Sequence, residues 1–355
     1  LVGLIMYLRI KCQKKNITQS IDNFIEKALY DKKTGYYSQK NPFGKKGDFI
    51  TAPIISPLFS EMISIWLISF WFKIGKPKNL SFVELGPGDG SFCKTLCKVL
   101  KNFPEIDRSV KIFLLERSDK LIKIQKKKIK NKKVIWIKNI SEIKKGPILF
   151  FGNEFFDSIP IKQFQMIESD IYEKFIQFKR DKFKKFIFKK TNKGLIRELN
   201  DLDLIRKKGV IEYPKRGLKI LSLILEKIKR LNGGILLIDY GYKKHLGLDT
   251  VQSLKFHKKN IYYNNIGKAD ITYLVDFSLL QRFIKKRGLS LSNLVSQSFF
   301  LKRLGIINRA ENISKKLNFR EKADIYYRLD RLLNKNKMGE MFKVIFASSK
   351  KIKFN

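Results

Sequence analysis

Hydrophobic positions along the chain follow two different spacings, and the change between them divides it. From residue 80 onward, short apolar runs alternate with helically spaced segments: strand 81–85, helix 90–101, strand 111–116, helix 118–130, strand 133–138, then Pro147-Ile-Leu-Phe-Phe-Gly-Asn153. Phe92, Leu96, Val99 and Leu100 repeat at the spacing of one helix face, whereas the strand runs are short and almost wholly apolar. Such alternation predicts an α/β fold with a parallel sheet and right-handed crossovers. The pattern resumes with helix 217–230, buried strand 233–241, helix 276–287, strand 289–295 and helices within 300–336. It closes on a last strand, 341–347.

Two stretches depart from this rhythm. Ahead of it, residues 17–30 read as an amphipathic helix with Ile21, Phe24, Ile25, Ala28 and Leu29 on one face, and residues 57–74 as a second helix. Between 161 and 190, aromatic and aliphatic residues alternate with lysines at a period near two, which predicts antiparallel strands. Residues 242–272 read as a long loop. The expected layout is an N-terminal helical cap (1–78) packed on the ligand site, a parallel-sheet domain (79–160 and 214–355), and a β-rich insertion (161–213) forming a substrate wall.

Composition narrows the functional classes. With 44% hydrophobic and 13% aromatic residues, the chain can bury a large core and is not disordered. The 75 Lys and Arg against 32 Asp and Glu give a net charge of +43, which would suggest nucleic acid or an anionic membrane. The lysines are spread along the whole chain, together with many Ile, Asn and Phe. That joint bias fits an adenine/thymine-rich genome, so a solvated lysine surface is the expected reading and nucleic acid is not the expected partner. Cys12, Cys93 and Cys97 form no disulfide framework, and His245 and His257 show no metal spacing. No apolar run reaches the roughly 18 residues of a membrane span. The chain starts without Met and shows no signal or transit pattern. A cytoplasmic location is expected, with the mitochondrial matrix as the alternative.

The candidate chemistry centres on Phe82-Val-Glu-Leu-Gly-Pro-Gly-Asp-Gly-Ser91. A strand ends near Glu84, Gly86, Gly88 and Gly90 follow at every second position, and a helix begins. Glycine lets a ligand approach the backbone where a Cβ would collide. The spacing is neither that of a dinucleotide turn nor that of a P-loop. A carboxylate at this turn would repel a pyrophosphate but tolerate a cationic centre. A second acid, Glu116, ends Ile112-Phe-Leu-Leu-Glu116, where a carboxylate suits a ribose diol. S-adenosyl-L-methionine meets both conditions; a purely structural glycine turn is the alternative. Asp48 and Thr51, in the extended segment before the second helix, are the preamble residues best placed to reach that ligand or, equally, to cap and turn.

Gly152-Asn-Glu-Phe-Phe-Asp157-Ser-Ile-Pro160 follows the fourth strand of the sheet, at the edge where ligands bind in such folds. Methyl transfer is an in-line displacement, so the protein's main task is to position the acceptor. A guanidinium acceptor is planar and permanently charged, and Glu154 and Asp157 could hold it bidentately. Asn153 leads the motif as in the Asn/Asp-Pro-Pro-Tyr motif of amino-methyltransferases, an analogy only. The plainer alternative is a polar helix start capped by Asp157.

Several stretches, in order and across nearly the whole chain, resemble the MidA-like methyltransferase family, which includes the mitochondrial complex I assembly factor. They are Leu29-Tyr-Asp-Lys-Lys-Thr-Gly-Tyr-Tyr37, Pro42-Phe-Gly-Lys-Lys-Gly-Asp-Phe-Ile-Thr-Ala-Pro53, Glu84-Leu-Gly-Pro-Gly88, Gly152-Asn-Glu-Phe-Phe-Asp157, Ile238-Asp-Tyr-Gly241, Ala269-Asp-Ile-Thr272 with Val275-Asp-Phe277, and Met338-Gly-Glu-Met-Phe-Lys-Val344. The resemblance implies a class I Rossmann-like methyltransferase sheet, S-adenosyl-L-methionine as cofactor and protein arginine methylation. It also implies a respiratory complex I subunit as protein substrate. It assigns Glu84, Gly86, Gly88 and Glu116 to the cofactor and Asn153, Glu154 and Asp157 to the reactive edge. The chain departs from the family at Asp89, where Arg is usual, at Ile54, where Glu is usual, and at Leu274, where a polar residue is frequent. The first two lie beside the cofactor turn, so an assembly chaperone without turnover stands as the alternative function. A nucleic-acid methyltransferase is a third reading. The oligomeric state stays open, a homodimer being one form it could take.

Overall fold

The computed structural model describes residues 16–39, 42, 44, 51–180, 182–206, 208–244 and 246–349. They form two compact units, one drawn from 51–158, 220–244 and 274–349, the other from 16–39, 159–219 and 246–273.

The larger unit is organised by a nine-stranded sheet. Its principal strands are β1 (Leu80–Leu85), β2 (Val110–Leu115), β3 (Val134–Ile137), β4 (Ile148–Asn153), β5 (Gly233–Tyr242) and β6 (Phe342–Ser348). Across the sheet they run β6-β5-β4-β1-β2-β3, with the short strand Ser290–Leu291 outside β6. β1 to β5 are parallel and β6 runs antiparallel to β5, as the last strand of a class I methyltransferase sheet does. β1 is buried at every position, because a parallel strand covered by helices on both faces has no wet side. Helix Ser91–Leu100 buries Phe92, Cys93, Leu96, Cys97 and Leu100. Phe92 packs on Phe151 of β4 with ring centroids 4.6 Å apart, and Trp66 of helix Pro57–Lys73 meets Phe346 of β6 at 5.2 Å. Each such ring contributes roughly 2–3 kcal/mol through burial alone. Among the described residues, Cys93 and Cys97 are free thiols and are buried in this core.

The smaller unit carries a five-stranded antiparallel sheet. Lys162–Ile167, Asp170–Lys179 and Lys182–Lys190 form the meander that the period-two pattern predicts. The expected helix over 17–30 is shorter: Ile17–Ser20 is a strand that pairs with residues 175–178, and the helix runs Ile21–Tyr30. Four residues are too few for a period to separate strand from helix, and the partner strand decides. The expected loop 242–272 contains a three-stranded sheet of Gln252–Lys255, Lys258–Asn260 and Asp270–Thr272. Its strands are short and partly polar, so no hydrophobic pattern announces them.

In the larger unit, the expected strand 289–295 reduces to two short pairings on β6, Ser290–Leu291 and Val295–Ser296. The helical tract near 300–336 divides into Gln297–Arg303, Ile306–Ser314 and Phe319–Leu333. Gly305, at φ +84°, breaks the first junction, and Asn318 caps the third helix with a reciprocal Glu321 bond. Among the described residues no helix is long and apolar enough to cross a membrane.

Candidate functional site at the carboxyl edge of the parallel sheet

Parallel register brings the predicted site residues to one edge. Leu85 at the end of β1 stands opposite Leu115 of β2 and Gly152 of β4, and Asn153 stands opposite Ile238 of β5. Beyond Leu85 the chain turns through Gly86, Gly88 and Gly90, all left-handed, at φ +60°, +55° and +80°. The Gly86 N–H donates to the Leu115 carbonyl at 3.1 Å, which holds the turn against β2. A Cβ at Gly86 would lie 3.1 Å from the Phe155 ring. A Cβ at Gly90 would lie 2.9 Å from Ile129 Cδ1, so this glycine is fixed by packing beside helix Asp119–Lys128.

Two acids flank the turn. Glu84 is buried, and its Oε2 accepts no hydrogen bond. Burial drives its carboxyl well above the ordinary range, helped by the nearby charges of Asp89, Cys97 and Glu116. Glu116, just past β2, accepts from the Ser118 N–H at 2.8 Å and from Gln125 Nε2 at 3.1 Å. Burial raises its pKa, and these donors oppose the rise. Gln125 is fully buried and joins the elements of this corner. Its Nε2 also donates to the Gly88 carbonyl at 2.8 Å, and its Oε1 accepts from Trp136 Nε1 at 2.9 Å. Sequence reasoning missed Gln125. The available signal was a lone amide one turn after Leu121 on the apolar face of its helix.

The departure at Asp89 has a local partner. Lys128 pairs with the Asp89 carboxylate and donates to Ser91 Oγ at 2.9 Å, while Asp89 Oδ1 accepts the Ser91 N–H at 2.9 Å. Asp89 therefore closes the first turn of helix Ser91–Leu100, and its charge is balanced. Ile54 sits in the short helix Ala52–Ile55, and the backbone of Leu274 leads directly into the strand Val275–Asp276 paired with β5.

The tip of β4 gathers the remaining candidates. Glu154 adopts φ +53°, a conformation uncommon outside glycine, and its N–H donates to the Ile238 carbonyl at 2.9 Å. Its Oε1 accepts from Asn153 Nδ2 at 3.0 Å and from the Ala52 N–H at 3.4 Å. The preamble thus meets this edge through Ala52, next to Thr51, which caps helix Ala52–Ile55 through its backbone and not its side chain. Asp48 lies outside the described residues. Asp157 is buried in a turn; no helix begins there, so it does not serve as the helix cap of the plainer expectation. Asp239 of β5 fixes that turn: its Oδ2 accepts the N–H groups of Phe156 at 2.9 Å and Asp157 at 3.4 Å. Burial, then the Glu154 charge, pushes Asp157 up to about 8, against hydrogen bonds from Tyr240 and Ser158. Burial, then Asp157 and Glu154, likewise holds Asp239 well above the carboxylate range. Asn153 Oδ1 is buried and accepts nothing. No cluster able to hold a metal ion occurs among the described residues.

The edge therefore offers left-handed glycines, two buried oxygens that lack donors, and a group of carboxylates in mutual repulsion. Residues 62–295 match the family model described as S-adenosyl-L-methionine-dependent methyltransferase. The chain belongs to that family. Its cofactor is S-adenosyl-L-methionine, and the buried oxygens without donors at this edge fit a ligand that brings ribose hydroxyls and an amino group.

Curated relatives of this methyltransferase include the mitochondrial protein arginine methyltransferase NDUFAF7 of Danio rerio, 27% identical over 91% of this chain and 82% of that one. The human protein of the same name is 28% identical, over 91% and 78%. The Caenorhabditis elegans homolog is 32% identical, over 79% of this chain and 71% of its own. Among solved structures, a superfamily member from Burkholderia thailandensis bound to S-adenosyl-homocysteine superposes with a TM-score of 0.77 at 21% identity. It covers 93% of this chain and 88% of that one, and the likeness is one of fold.

Proposed function

We propose that this methyltransferase modifies an arginine side chain of a protein, and that Glu154 and Asp157 receive the guanidinium with Asn153 beside them. The observation that carries the reading is the group of three acids at the tips of β4 and β5, two of them buried and protonated more readily than ordinary carboxyls. A guanidinium would relieve the repulsion and accept a planar, bidentate embrace. The relatives' names, protein arginine methyltransferase, point to the same acceptor. Bound S-adenosyl-L-methionine supplies an activated methyl group. Glu84 and Glu116 would hold its polar groups, with Gly86 and Gly88 giving the close approach and Gly90 keeping the helix start in place. Thr51, beside Ala52, borders the same edge. A guanidinium bound beside Asp157 would favour its ionised form, and that carboxylate is then suited to take the proton that the arginine nitrogen gives up on methylation.

The client we propose is a subunit of respiratory complex I, methylated during assembly, in the bacterial cytoplasm or the mitochondrial matrix. Lys128 pairs with Asp89, so that departure gives no support to a fold kept only for client binding. Glu154→Gln tests the acceptor role, because the amide oxygen can still accept from Asn153 and Ala52. The expected outcome is unchanged calorimetric binding of S-adenosyl-L-methionine with methyl transfer to an arginine peptide reduced at least a hundredfold. Normal transfer by the Gln variant would remove Glu154 from the mechanism.

A further inference from the structure

The helix Phe319–Leu333 carries aromatic side chains that the core does not take up. Phe319 is 88% exposed, Tyr327 68% and Tyr326 43%. All three flank Ala323, at spacings of three or four residues that place them on one side of a helix. The opposite side buries Leu329 and Leu332, and Arg328 ties the helix inward by donating to the Ile55 carbonyl at 3.0 Å. The aromatic side is therefore presented outward on a well-anchored helix.

We infer that this face docks on the same face of a second copy of the chain, antiparallel, about a two-fold axis beside Ala323. Charge is the deciding observation. A chain with a net charge of +43 repels itself, so a face that meets its own copy must be locally balanced. This helix is balanced: four basic and three acidic side chains lie among its residues. Their placement is also self-complementary. A two-fold axis between Lys322 and Ala323 sets residues at similar distances before and after it opposite one another. On one flank, Arg320 of each copy meets Asp324 of the other, while Asp324 keeps its own Arg328 at 2.7 Å. On the other flank Phe319 meets Tyr326. Ala323, exposed and small, lets the two helices approach closely. One helix face buries less than the roughly 800 Å² per partner of a standard interface, so the dimer is weak.

Sedimentation velocity of the full chain at physiological salt, from roughly 1 to 100 µM, tests this. The expected result is a reversible monomer–dimer equilibrium. Ala323→Arg, a helix-compatible change at an exposed position, should raise the midpoint at least tenfold with an unaltered circular dichroism spectrum. Arg320→Asp and Asp324→Arg should each weaken the dimer by setting like charges against each other, and the double variant should restore it. A monomer at every concentration would overturn the inference. So would a dimer indifferent to Ala323→Arg, or a double variant no better than the singles.

Discussion

Gln125 offers the sharpest test of how the cofactor corner is held. Replacing it with Leu keeps most of its volume and removes three hydrogen bonds: to the Gly88 carbonyl at 2.8 Å, to Glu116 at 3.1 Å and from Trp136 at 2.9 Å. Each is worth about 1 kcal/mol net, and a buried group left unpaired costs about 1–3 kcal/mol. The variant should therefore lose about 3 kcal/mol of stability, of which the part at Glu116 also bears on the ligand. Glu116 keeps its backbone donors at Ser118 and Arg117 but loses the side-chain donor to Oε2, and the loop at Gly88 loses its tie to the helix. An affinity loss of about tenfold corresponds to about 1.4 kcal/mol, less than half of the total. Thermal melts give the first quantity and calorimetric titration with S-adenosyl-L-methionine the second. If the Leu variant melts lower but binds normally, Gln125 is a core amide and the positioning argument fails. If both are unchanged, the hydrogen-bond network itself is wrong.

Two further outcomes follow from the charges at the site. Asp89→Arg, which installs the residue usual in the family, faces Lys128 with a like charge and should lower the melting temperature; adding Lys128→Asp should recover it, and failure of that recovery would show that the pair does not hold the turn. Asp157 is raised to about 8 in the fold against about 4 when unfolded. The native state therefore keeps a proton that the unfolded chain releases, and the associated stability is full below pH about 4 and is lost as pH rises through about 8. Asp157→Asn should gain on the parent protein as pH rises, by up to about 1.4 kcal/mol per pH unit; melting curves that stay parallel from pH 5 to about 9 would contradict this burial argument.

Much of the larger unit was legible because a buried parallel strand must be nearly all apolar and because the glycine turn has few alternatives. Glu84, Glu116 and the Asn153-to-Asp157 segment could be placed at one edge from strand order alone. What pattern could not show is which groups satisfy one another across the chain. Asp239 was visible as a polar residue at a strand tip, but its bonds to the Phe156 and Asp157 N–H groups span some 80 residues. Gln125 reads as a break in an apolar face until Gly88 and Trp136 are brought beside it. The strand Ile17–Ser20 was hidden for a similar reason: its hydrogen bonds come from residues 175–178, not from its own periodicity.

The acids at the sheet edge are costly where they stand. Asp157 and Asp239 are buried against each other, and Glu154 holds a left-handed backbone that costs on the order of 1–3 kcal/mol. Asn at 157 would bury the same shape without the repulsion, whereas Asp239 uses both oxygens, Oδ2 for the Phe156 and Asp157 N–H groups and Oδ1 for that of Tyr240. A structural role alone would favour the neutral substitute at 157. Glu154 accepts from the Asn153 side chain and the Ala52 N–H, and Asp157 is hydrogen-bonded by Tyr240 and Ser158. The arrangement makes physical sense if the positive charge arrives from outside, on a cofactor and on an acceptor side chain, and if the stability withheld from the free protein is returned when they bind.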